Sequence, residues 1–77
     1  MNPKPMPAHK VARMAAGVTQ RHVAERLGCA VVKVKRLEQR APQKLTVEEL
    51  ETYTHLTGLT PEQVLGRMPL PEVPYVV

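Results

Sequence analysis

Lys33, Lys35 and Arg36 crowd into one short segment whose neighbours Val31, Val34 and Leu37 are apolar at helical spacing. A helix of this kind turns one face to a core and offers cations on the other. Ammonium and guanidinium groups so arranged bind anions. Arg carries a planar fork that matches the paired acceptors on the edge of guanine, whereas Lys acts more often as a point charge toward phosphate. Lys35 and Arg36 are therefore expected at base edges and Lys33 at phosphate. Val31 and Val32 are placed to meet a thymine methyl, although Val31 also lies three residues before Val34 and suits the core.

Catalytic arrangements are not readable. There is no Ser/His/acid or Cys/His set and no Gly-rich phosphate loop. His9, His22 and His55 have no metal spacing and are expected at the surface. The acidic group Glu48, Glu49 and Glu51 has an electrostatic explanation at a helix start. A single cysteine, Cys29, excludes an intramolecular disulfide and a four-cysteine zinc site, and is read as an apolar filler. No catalytic residue, cofactor or metal ligand is expected, so the chain reads as a non-enzyme.

The elements that must position the cations run from Thr19 to Glu38. Thr19 can cap a helix whose inward stripe is Val23, Ala24 and Leu27. Gly28 suits the left-handed backbone that ends it. Ala30 or Val31, then Val34 and Leu37, mark the second helix, and Ala24 is small where the two must cross. This is a helix-turn-helix with a cationic second helix.

Around it, residues 1–7 hold three prolines and read as an extended arm. From about Ala8 to Ala16 a short helix is expected, with the apolar Val11, Met14 and Ala15 on one side, His9, Lys10 and Arg13 on others, and Gly17 ending it. Gln39 to Leu45 reads as a loop in which Arg40 and Lys44 suit a phosphate backbone. Thr46 and Glu49 form a capping box for a fourth helix with Val47, Leu50, Tyr53, Thr54 and Leu56 inward, ending at Gly58. Thr60-Pro61-Glu62-Gln63 opens a short fifth, burying Val64 and Leu65. Residues 67–77 form a Pro-rich tail, apolar enough to serve association with a second copy or another protein.

The whole is a chain of 77 residues with no Trp or Phe and two Tyr, so its core must be aliphatic. Its net charge of +4 hides an uneven split. Residues 1–44 carry ten Lys/Arg against two Glu, and residues 45–77 one Arg against five Glu. Such asymmetry directs the N-terminal part at a polyanion. No apolar run is long enough for a signal peptide or membrane span, so a soluble cytoplasmic protein without membrane contact is expected.

The order of these signals resembles the phage repressor and Cro-like, or xenobiotic-response-element, helix-turn-helix family over residues 8–66. Arg13, Gly17-Val-Thr-Gln20, Ala24-Glu-Arg-Leu-Gly28, Val34, Leu37-Glu38 and Gly58-Leu-Thr-Pro-Glu62 carry the resemblance. It implies an all-α, four- to five-helix lambda-repressor-like domain (8–66) between an extended arm (1–7) and a Pro-rich tail (67–77). It further implies an ion pair between Arg13 and Glu38, phosphate binding by Gln20, and a recognition helix at about 30–38. The partner implied is a double-stranded DNA operator, bound by a homodimer acting as a transcriptional regulator. The sequence departs from the family at Ala30, where a Ser or Thr cap is usual and its lack costs ~1 kcal/mol. It departs also at Val31 and Val32, which open the reading face with apolar side chains, and in the short loop after Glu38.

Overall fold

The structure, a computed structural model, describes residues 6–71. Within them are five α-helices: α1 (Ala8–Ala15), α2 (Gln20–Leu27), α3 (Val31–Leu37), α4 (Val47–Thr57) and α5 (Pro61–Val64), with a 3-10 turn at Pro42–Lys44. The described residues are thus all-α, with the 3-10 turn inside the expected loop. Residues 1–5 of the expected arm and 72–77 of the expected tail lie outside them.

Local chemistry sets the helix ends. The Thr19 hydroxyl accepts from the His22 N–H at 3.1 Å. Thr46 and Glu49 cap each other reciprocally, as do Thr60 and Gln63. The four-residue α5 is too short to persist alone. Its box, the proline at its first position and the complete burial of Val64 hold it in place. Burial of a valine of this kind contributes ~1.5–3 kcal/mol.

Ala12, Val23, Ala24, Val34, Tyr53 and Val64 form the core, ringed by half-buried Val18, Leu27, Cys29, Leu50, Leu56, Leu59 and Leu70. α2 packs on α3 and α4, while α1 packs on α4 and α5. At the α1–α5 contact the chains nearly touch: a Cβ on Gly66 would stand 2.7 Å from that of Ala8.

Two expected faces are corrected. α1 buries His9, Ala12 and Arg13, leaving Met14 half exposed at 52% and Ala15 exposed. Its inward stripe is thus shifted by two residues, nearly to the opposite side of the helix, where Arg13 meets Glu38. On α4, Val47 is 73% exposed, whereas Thr52 is buried and satisfies its hydroxyl by donating to the Glu48 carbonyl at 2.9 Å. Position 47 is the first residue of its helix and projects beyond the edge of the core.

Candidate nucleic-acid interface

α2 ends in a Schellman arrangement: the Cys29 N–H donates to the Ala24 carbonyl at 3.0 Å and the Gly28 N–H to that of Glu25 at 3.3 Å. This requires φ of 70° at Gly28, a backbone that a side chain would strain. The chain then enters α3 at Ala30, which supplies no side-chain cap. Helical periodicity and the turn together decide which way α3 faces. Val34 and Leu37 are buried, while Lys33, Lys35 and Arg36 are exposed and Val32 is 54% exposed. Val31 is half-buried against the core, so most of its apolar surface is already covered.

The far end of α3 is held by Glu38, its C-terminal cap, whose side chain is 1% exposed. Arg13 donates to it through Nε (2.7 Å, Oε2) and Nη2 (3.0 Å, Oε1). Gln20 donates through Nε2 at 3.0 Å, and the Tyr53 hydroxyl donates at 2.7 Å. Arg13 spends a further N–H on the Val18 carbonyl at 2.7 Å. One carboxylate therefore ties α1, the start of α2, the end of α3 and the middle of α4 together. Burial pushes the Glu38 carboxyl up, but donors from Arg13, Gln20 and Tyr53, with the Arg13 charge, outweigh it and hold it below its ordinary value. Burial and this carboxylate push the Tyr53 phenol far up, so its hydroxyl is a permanent donor.

His9 joins this network. It is fully buried, and its Nε2–H donates to the Leu37 carbonyl at 2.8 Å, which leaves Nδ1 buried without a partner among the described residues. The carbonyl can only accept, so the neutral ring carries its proton on Nε2. The ring stands edge-on to Tyr53, with centroids 5.4 Å apart and planes at 90°. Burial lowers the His9 pKa; the Leu37 bond and the Glu38 and Glu49 charges offset it only in part. The expected surface position of His9 is thus corrected. Its signal was present: one helical turn before Arg13, it shares that residue's face.

Gln20 is half-buried, and one of its amide protons is committed to Glu38. Arg40 and Lys44 are exposed on the segment that follows α3, where the Lys44 N–H closes the 3-10 turn on the Ala41 carbonyl at 3.0 Å. The exposed cations of α3 and of this segment sit on either side of Glu38, whose own charge is neutralised by Arg13. Such a surface presents positive charge, with Lys33 sharing a hollow with Glu48 and Glu49. No helix among the described residues is long and apolar enough to cross a membrane.

No curated protein and no solved structure gives a significant match to the chain. Residues 10–65 match the family model described as a helix-turn-helix domain, a span that runs from α1 through α5. With the α2–Gly28–α3 turn inside that span, and an architecture consistent with the repressor and Cro-like resemblance, the chain belongs to the helix-turn-helix domain family.

Proposed function

We propose that this protein is a transcriptional regulator that binds double-stranded DNA sequence-specifically, as a homodimer, with α3 in the major groove. The observation that carries this reading is the exposed row Val32, Lys33, Lys35 and Arg36 on a helix held by the core on one face and by Glu38 at its end. Arg36 and Lys35 read base edges, and Val32 meets a thymine methyl; Val31 serves the core and leaves that contact to Val32. Lys33, Arg40, Lys44 and the uncommitted amide proton of Gln20 take phosphates. Occupancy of the operator is the mechanism, with no chemistry on the DNA, and the cytoplasm is where it acts. Two subunits read half-sites about one helical turn, ~34 Å, apart. Residues 67–77, apolar and rich in proline, serve as the association segment; Met68 is 56% exposed, and burying it between subunits favours the dimer.

Selection of bound duplexes from a random DNA pool, followed by gel shift over a salt series, tests this reading. If four to six phosphates are met per subunit, log affinity falls against log salt with a slope of ~−4 to −5 per subunit. A flat salt response with no enriched sequence refutes DNA reading in favour of a module that binds protein through the same fold. Truncation after Gly66, with mass measured by light scattering, tests the tail: an unchanged oligomeric state removes it from self-association.

A further inference from the structure

A cleft of about 750 Å³ opens between the start of α1 and the chain leaving α3, with Lys10 on one wall and Arg40 on the other. We propose that this cleft seats the sugar–phosphate backbone of DNA just outside the stretch covered by α3, with Lys10 as a phosphate contact from α1. The proposal rests on the DNA-binding reading above and extends the contact surface beyond the two helices of the motif.

Charge is the first reason. Both cations border the cleft, and the acid among the described residues lining it is Glu38. That carboxylate is 1% exposed and saturated by Arg13, Gln20 and Tyr53, so a visiting anion meets little negative charge. Continuity is the second. Arg40 is itself a lining residue, and Pro42, also in the lining, opens the turn that ends in Lys44. The cleft thus lies among the phosphate contacts already proposed, with α1 as its opposite bank. Chemistry is the third. Ala8, Ala41 and Pro42 give the walls apolar patches, which suit the carbon face of deoxyribose next to a phosphate. The volume exceeds the need of a lone ion and falls in the ~300–1,000 Å³ range of sites for organic ligands. Arg40 is exposed rather than enclosed, which suits a polyanion lying across the cleft better than a small ligand sealed inside it.

The test compares the full chain with its Lys10→Ala and Lys10→Arg variants on two duplexes. Both duplexes carry the selected site, and one is trimmed so that the flanking phosphates are absent. On the long duplex Lys10→Ala should make the slope of log affinity against log salt shallower by about 1, and Lys10→Arg should restore it. On the trimmed duplex Lys10→Ala should match the parent. An unchanged slope on the long duplex, with parental binding still salt-dependent, overturns the seat while leaving the DNA reading intact. An equal loss on both duplexes overturns it as well, since Lys10 would then act only as bulk charge. Loss of salt dependence in the parent refutes the DNA reading and the seat together. Inorganic pyrophosphate, titrated against the DNA-free protein by NMR, supplies the remaining arm. Saturable shifts at Lys10 and Arg40, with DNA affinity indifferent to Lys10→Ala, would assign the cleft to a small phosphorylated ligand instead.

Discussion

Substituting Glu38 by alanine tests the network at its centre. The carboxylate accepts two hydrogen bonds from Arg13, one from Gln20 and one from Tyr53. Gln20 is half-buried and can turn to water, but the Arg13 side chain is 10% exposed and Tyr53 fully buried. Glu38→Ala therefore strands a guanidinium that keeps only the Val18 carbonyl, together with a buried hydroxyl. Breaking a buried pair in this way costs ~3–5 kcal/mol, against a total stability on the low side of ~5–15 kcal/mol for so small a core. At ~4–8 °C per kcal/mol for a domain of this size, the melting temperature should fall by at least ~12 °C. Thermal and urea unfolding followed by circular dichroism measures both quantities. Because the cost comes from stranding, removing the stranded groups should recover much of it. The triple variant Arg13→Met, Glu38→Leu, Tyr53→Phe should be more stable than Glu38→Ala alone. A loss below ~1 kcal/mol in Glu38→Ala would refute the network's role, since that is the worth of an exposed pair. A triple variant no better than the single would refute the stranding argument.

Three further outcomes are expected. Arg36→Ala should lose ~1–3 kcal/mol of binding and relax preference at one base pair, whereas Lys44→Ala should weaken selected and random duplexes alike; identical profiles for the two variants would reassign the reading face. Burial holds the folded His9 pKa below its ordinary 6.5, so as pH falls through that value the unfolded chain takes up the proton first. Its contribution to stability is complete above 6.5 and is lost toward the folded-state value, while Glu38, held below its ordinary 4.5, adds a second loss at lower pH. Urea unfolding from pH 7.5 downward should show the first loss in the parent and not in His9→Gln, and equal slopes would rule it out. Gly28→Ala, forced to φ of 70°, should cost ~1–2 kcal/mol by the same unfolding assay; a neutral result would mean the turn can relax.

What the sequence determined by itself is the set of helix ends and the turn at the centre of the motif. Thr19, the Thr46–Glu49 box, the Thr60-Pro61 start signal, and the glycines Gly28 and Gly58 act on backbone groups within a few residues, so their chemistry is legible without neighbours. The basic face of α3 is legible for the same reason, because Val34 and Leu37 mark the inward side. Which side of α1 turns inward was not. Its alanines and Val11 allow more than one apolar stripe, and the choice falls to Arg13, whose partner Glu38 lies 25 residues away. That contact carries His9 into the core beneath Leu37 and commits half of the Gln20 amide. Tyr53 was legible as an inward residue, yet its hydroxyl bond to Glu38 was not. Val47 and Val31 fit the same logic: periodicity gave each an apolar position, and the reach of the core left one outside and drew the other half in. Local hydrogen bonding depends on neighbours in the chain and can be read along it. The Arg13–Glu38 pair was implied by the family resemblance alone. The rotation of a helix, and Gln20 and Tyr53 as partners of Glu38, depend on elements brought together only by the fold.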